Sequence, residues 1–197
     1  MIRRPMAGSC AVASSRSCPE WRVITDAAVR PAGAKGKGVF ALRAFRKGEF
    51  IFRRTHGRVV SNAVIRLLRR EDRSHLCELD FKTSAVLLPP GCYLNHSCDP
   101  NAMRSGVKVF AWRNIRPGEE ITIDYRLNAF SGRRSRCICG SLSCTGEVVS
   151  DFFSLEIARQ KRYLPYAPAF ILHEYRRRSA SRRGPDESPT RGGSWPD

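Results

Sequence analysis

Three cysteines fall within Cys137-Ile138-Cys139-Gly140-Ser141-Leu142-Ser143-Cys144, a C-x-C-x4-C run. Three sulfurs so close cannot all pair with one another, but they can converge on one tetrahedral zinc ion. Gly140 permits the tight turn between ligands. A closed structural site takes a fourth ligand, for which Cys77, Cys92, His96 and Cys98 are candidates; unligated thiols are the plainer alternative. A second cluster is Tyr93-Leu94-Asn95-His96-Ser97-Cys98-Asp99-Pro100-Asn101, too polar for a core strand and too patterned for a random loop. Upstream stands Lys35-Gly36-Lys37-Gly38-Val39-Phe40-Ala41, and downstream Pro117-Gly118-Glu119-Glu120-Ile121-Thr122-Ile123-Asp124-Tyr125. A lone G-x-G is usually a turn between strands. It lacks the third glycine and following helix of a dinucleotide fingerprint, so NAD and a P-loop are both disfavoured.

These clusters need a scaffold, and the local signals around them are mostly β. Residues 39–42, 49–52, 107–111 and 121–123 are short β-branched or aromatic runs punctuated by Gly, Pro, Lys and Asn. Residues 61–73 read as an amphipathic helix, with Ser61 as N-cap and Val64, Leu67 and Leu68 on one face. A second helix is expected over residues 151–164, stopped by Pro165, with a further turn or two after Pro168 reaching Tyr175. No repeat is visible at a period of roughly 20–50 residues. Many short strands and few helices predict a mainly β fold of several small sheets rather than a βαβ array.

The chain has 197 residues, 42% of them hydrophobic, enough for one ordinary core. No apolar run approaches the roughly 20 residues of a membrane span, which predicts a soluble protein without a membrane partner. Lys and Arg number 35 against 18 Asp and Glu, for a net charge of +17. Most of that surplus lies within residues 23–150, so it is not a basic tail on a neutral domain. The densest stretch, residues 53–73, holds Arg53, Arg54, Arg58, Arg66, Arg69, Arg70 and Arg73. It is either a solvated face or a docking surface for nucleic acid or nucleoprotein. Residues 1–20 read as a disordered basic arm that loosely resembles a transit peptide, and residues 176–197 as a disordered Arg/Ser/Pro tail. A secreted disulfide framework fits the eight cysteines poorly, since no apolar leader is evident.

Together, in this order and spacing, G-K-G-V-F-A, N-H-S-C-D-P-N, G-E-E-I-T-I-D-Y and C-x-C-x4-C with Gly146 resemble the SET-domain protein-lysine methyltransferases followed by a post-SET zinc motif. The resemblance covers about residues 22–146. It implies a fold of several small sheets with knot-like threading of the chain at the active site, and a division into SET domain (21–130), post-SET zinc segment (131–150) and helical extension (151–175). It also implies S-adenosylmethionine as methyl donor, contacted by Gly36, Lys37, Gly38, Asn95, His96 and Tyr125. Tyr125 would be the catalytic residue, and Cys98 would join Cys137, Cys139 and Cys144 on zinc. Glu120 and Asp124 are expected to be structural partners, and Tyr93 either a channel wall or core packing.

The chain departs from the family in two ways. Cys92 and Tyr93 stand where many members carry Arg-Phe, and Ile123 stands where Phe or Tyr often sits, which leaves the number of methyls added open. The short Arg-rich insert resembles compact bacterial or viral members. The expected partner is a basic protein presenting a lysine, histone, histone-like or ribosomal. The expected location is cytoplasm or nucleoid in a bacterium, nucleus and chromatin in a eukaryote. Two other readings are a catalytically silent SET-like module and a zinc-stabilised nucleic-acid binder. Intact Asn95, His96 and Tyr125 weigh against the first, and missing paired C-x2-C or helix-turn-helix signals against the second.

Overall fold

A computed structural model of the chain describes residues 23–182 apart from residue 25; the arm expected over residues 1–20 lies outside the described residues. Short β-branched runs between turns build several small sheets, since each run is too short to template a large one. In chain order the strands begin with β1 (Val23–Ile24), β2 (Ala27–Pro31), β3 (Lys37–Ala41), β4 (Phe50–Arg53) and β5 (Thr55–Ser61). After helix α1 (Arg70–Ser74) come β6 (Leu76–Glu78), β7 (Thr83–Leu88), β8 (Asn95–His96), β9 (Ala102–Ser105) and β10 (Lys108–Ala111). Then follow β11 (Glu120–Ile123), β12 (Phe130–Arg136), β13 (Glu147–Asp151), and helices α2 (Ile157–Tyr163) and α3 (Ala169–Arg182). The sheets are ordered β1-β2-β3-β11-β8, β4-β10-β9, β5-β7-β6 and β12-β13. The expectation of a mainly β fold in small sheets is met.

One pairing brings distant motifs together. β11 lies between β3, to which it is antiparallel, and β8, to which it is parallel with Thr122 opposite Asn95 and Ile123 opposite His96. The intervening β9 and β10 fold into another sheet. Alternation explains why β11 holds this place: Ile121 and Ile123 are buried, with Thr122 between them turned the other way. Its short pairing is extended by a side chain. Buried Asn101 accepts the Thr122 N–H at 2.8 Å and donates to the Glu120 carbonyl at 2.8 Å, as a neighbouring strand would.

The main core joins Val39, Phe45, Phe52, Val109, Ile115 and Ile121 beneath the first two sheets. A second core packs Phe152, Leu155, Tyr163 and Ile171 of the C-terminal segment on Met103 and Leu127. The helical extension therefore supports the turn that follows Tyr125.

Three local expectations need correction. The single helix over residues 61–73 is instead a 3-10 helix, Asn62–Leu67, followed by a break and the short α1. Ser61 does cap it, accepting the Ala63 N–H at 3.3 Å, but Leu67 is 84% exposed. Among the described residues Val64 and Leu67 of its apolar stripe are left exposed, so periodicity alone does not sustain a long helix. The helix expected over residues 151–164 is divided among the end of β13, a 3-10 turn (Phe152–Ser154) and α2, while Pro165 sits inside a further 3-10 turn. α3 runs to Arg182, into the stretch expected to be disordered. Glu174 holds Arg177 and Arg178 one turn on, each at 2.7 Å, which favours helix there.

Candidate active site and metal cluster

The parallel β8–β11 pair sets the site. Beyond β11 the chain turns at Asp124, whose side chain accepts the Arg126 N–H at 3.1 Å and caps a 3-10 turn, Tyr125–Asn128. Tyr125 is thereby aimed back at β8. Its hydroxyl donates to the Leu94 carbonyl at 2.7 Å, and its backbone N–H donates to His96 Nδ1 at 3.2 Å. Burial of the hydroxyl, with the Glu120 carboxylate adding to it, pushes its pKa up to about 12. Tyr125 is therefore a neutral donor at ordinary pH, not a base.

His96 is buried and bonded on both sides. With Nδ1 accepting from Tyr125, its proton belongs on Nε2, which lies 3.3 Å from Cys98 Sγ. Burial pulls the imidazole down to about 4; Asp124 opposes it, while Arg126 and Arg159 add to the lowering. Asp124 itself is fully buried, bonded by Arg126 through Nε and Nη2 at 2.8 Å each, with the Tyr163 hydroxyl at 3.3 Å. These partners occupy it structurally, as expected.

Beside Tyr125 opens a cleft of about 190 Å³ lined by Lys35, Asn95, His96, Tyr125 and the Ser135–Cys139 wall with Val148. Lys35 ion-pairs with Glu120, whose other oxygen takes the Asn95 amide at 2.7 Å. Asn95 also donates to the Lys37 carbonyl at 2.9 Å. Gly38 makes this close approach possible, since a Cβ there would lie 2.5 Å from Glu120 Oε1 and 3.2 Å from Asn95 Nδ2. Gly36, Lys37 and Gly38 stand behind the cleft rather than in its lining. Sequence reasoning missed Lys35, which precedes the glycine pair by one residue, and the wall of residues 135–138. Tyr93 packs on the main core and meets His75 edge-on at 5.7 Å.

The sulfurs of Cys98, Cys137, Cys139 and Cys144 all lie within 4.8 Å of one another. Cys98 Sγ and Cys137 Sγ are 3.9 Å apart, close to the ~3.8 Å edge of a tetrahedron with zinc–sulfur bonds of about 2.3 Å. Of the four candidates for the remaining ligand, Cys98 alone joins the triplet. The donor set fits a closed structural metal site. Backbone N–H groups of Cys98 and Gly146 point at Cys139 and Cys144 sulfurs at 3.5 and 3.4 Å, as thiolates require. Gly140 takes a φ of 74°, supplying the expected turn between ligands. Burial and the neighbouring Cys137 and Cys139 sulfurs push the Cys98 thiol up. At Cys139 burial is outweighed by the N–H donors of Cys98 and Ser141, leaving it at about 6.

Of the arginines in residues 53–73, Arg54 is buried and unavailable to a partner. Arg58 is exposed but paired with Asp72 at 2.9 Å. Among the described residues, no helix is long and apolar enough to cross a membrane.

Residues 36–126 match the SET domain family. The histone-lysine N-methyltransferase ASHR3 of Arabidopsis thaliana is 36% identical over 129 residues, covering 56% of this chain and 25% of that protein. An H3 lysine-36 specific histone-lysine N-methyltransferase of Eremothecium gossypii is 32% identical over 138 residues, covering 61% of this chain and 20% of that protein. The methyltransferase domain of human histone-lysine N-methyltransferase SETMAR aligns over 62% of this chain and 57% of its own, at 25% identity and a TM-score of 0.49. This chain spans a quarter or less of both curated relatives.

Proposed function

Residues 36–126 are a SET domain, and from that premise we propose that the chain methylates lysine side chains of a protein substrate with S-adenosylmethionine as donor. The observation that carries this reading is the convergence of Asn95, His96 and Tyr125 on one cleft, with the tyrosine hydroxyl held 2.7 Å from the Leu94 carbonyl.

The donor supplies a methyl carbon on a positively charged sulfonium, beside which an ammonium is disfavoured by like-charge repulsion. When bound, the donor would supply this methyl to a lysine nitrogen that has given its proton to solvent, the carbon–sulfur bond breaking as the carbon–nitrogen bond forms. Tyr125, kept neutral, orients the amine and lends its hydroxyl dipole to the polarised methyl group. The Leu94 carbonyl fixes the direction of that hydroxyl and, standing beside it, is placed to accept from the incoming amine. Lys35 and Asn95 form the polar end of the cleft, held from behind by Glu120 and the carbonyl of Lys37, and suited to the charged amino-acid portion of the donor. Gly36 and Gly38 allow the chain to approach closely there.

Cys98, Cys137, Cys139 and Cys144 would hold zinc as a post-SET clip, and its part is structural. It ties the end of β8 to the Cys137–Cys144 loop, keeping the 135–139 wall against the cleft. His96 bonds to both Tyr125 and Cys98, so the clip and the reacting tyrosine share one support. We assign residues 21–130 to the SET unit, 131–150 to the clip and the following helices to its buttress.

The substrate would be a basic protein such as a histone, histone-like or ribosomal protein, in chromatin where the chain is eukaryotic. A basic face repels a lysine-rich tail, so Arg53, Arg66, Arg69, Arg70 and Arg73 fit docking on nucleic acid that carries the target. The test is transfer of radiolabelled methyl from S-adenosylmethionine to these proteins. Labelling of lysine is expected; absence of donor binding by calorimetry would sink the enzyme reading in favour of a silent SET-like module.

A further inference from the structure

Away from the cleft, Arg54, Cys77, Arg104 and Asn128 gather where β6, β9 and the turn after Tyr125 meet. Arg54 and Arg104 are 4% and 6% exposed. Arg54 donates to the Gly106 carbonyl at 3.1 Å and reaches Cys77 Sγ at 3.7 Å, while its buried Nε has no partner among the described residues. His56, which favours the charged form of Cys77, has a buried Nε2 with no partner among the described residues. The counter-charges acting on Arg104 are Cys77 and Glu78, and burial raises the Glu78 carboxyl. Two buried guanidiniums and two unpartnered ring or guanidinium nitrogens call for an anion. The Cys77 sulfur is the group placed to be that anion, and Asn128 Nδ2 donates to it at 3.2 Å.

We propose that Cys77 is a peroxide-reactive thiolate, a modification site built by Arg54, Arg104 and Asn128, with Arg54 Nε and His56 Nε2 available to the oxygen it acquires. In the reaction the Cys77 sulfur attacks one oxygen of hydrogen peroxide. A sulfur–oxygen bond forms, the oxygen–oxygen bond breaks, and hydroxide leaves to take a proton from solvent as water. Sulfur is oxidised to sulfenic acid and peroxide is reduced. Burial, which disfavours a thiolate, is outweighed at Cys77 by Arg104, His56 and Arg54, leaving it at about 6. Cys92 is the internal contrast, because burial pushes its thiol up to about 11. The site is coupled to the cleft by position, for Asn128 ends the turn that Tyr125 begins.

The full chain, reduced and exposed briefly to hydrogen peroxide, is quenched with catalase and then unfolded in dimedone, so that reagent access plays no part. Peptide mass spectrometry reads the adduct at each cysteine. Cys77 is expected to carry at least about five-fold more adduct than Cys92; any smaller excess overturns the proposal, since a buried neutral thiol is inert. Arg104→Gln, checked for folding by circular dichroism, is expected to bring Cys77 down to the level of Cys92. A folded R104Q protein that keeps the excess overturns the role of the arginine pair. The wild-type comparison decides the matter alone if R104Q does not fold.

Discussion

Tyr125 is held at both ends from β8, its N–H on His96 and its hydroxyl on the Leu94 carbonyl. Tyr125→Phe keeps the ring and loses only the hydroxyl. Methyl transfer is expected to fall about 100-fold or more, with donor affinity measured by calorimetry unchanged. Because the hydroxyl is pushed up to about 12, transfer should rise with pH as the substrate lysine deprotonates. It should then show no falling limb near pH 10, where an ordinary tyrosine ionises; a rate profile that turns over there contradicts the neutral-donor role. Gly38 acts through space rather than chemistry. The Cβ of Gly38→Ala would press on Glu120 Oε1 at 2.5 Å, and that oxygen cannot move without giving up the Asn95 bond. Donor affinity is expected to weaken about tenfold, roughly 1.4 kcal/mol, while the melting temperature stays close to wild type.

At the scale of elements, the strands around the motifs were legible because burial alternates with period two in β10 and β11. The helices were less so. Leu67 and Val64 make an apolar stripe by spacing, yet both are exposed, left uncovered by the described residues. The extent of α3 beyond Tyr175 is not legible in the sequence because a side-chain cluster, not an apolar stripe, carries its C-terminal turns: Glu174 bonds Arg177 and Arg178, and the Arg178 guanidinium lies 3.8 Å from the Phe153 ring centre. These partners hold the Glu174 carboxyl down to about 2. A carboxyl depressed on folding stabilises above its ordinary pKa and loses that contribution as pH falls toward the depressed value. Glu174→Gln is therefore expected to lower the melting temperature by roughly 2 °C at pH 7 and by much less at pH 2, where most of the contribution is gone. Ile171, fully buried against the turn's Leu127 and its neighbours, is the stronger tie. Ile171→Ala should cost about 2–4 kcal/mol in a denaturant titration.

For the whole molecule, the four-sulfur cluster joins the SET core to the C-terminal half. Elemental analysis is expected to find one zinc per chain, lost in Cys137→Ser. Chelation should weaken donor binding more than it lowers global stability, since the wall over the cleft hangs on the cluster while the main core does not. A metal-free wild type refutes the assignment. The charge of +17 acts at this scale too. If the exposed arginines dock on nucleic acid, affinity must fall steeply as salt rises; salt-insensitive association returns them to a solvated face.

The sequence by itself determined the chemistry available: the order of the four motifs, the three clustered thiols, and the tyrosine after β11. Residue type and spacing carry those directly. Which residues meet was decided only in three dimensions. Cys98 rather than Cys77, Cys92 or His96 completes the sulfur cluster, because the parallel β8–β11 pairing delivers β8 beside the C-x-C loop. Arg54 turns inward among look-alike neighbours, and Asn101 serves as a strand's partner. Periodicity describes contacts within an element. Contacts between residues dozens of positions apart depend on how the sheets close around one another, and no local pattern encodes that.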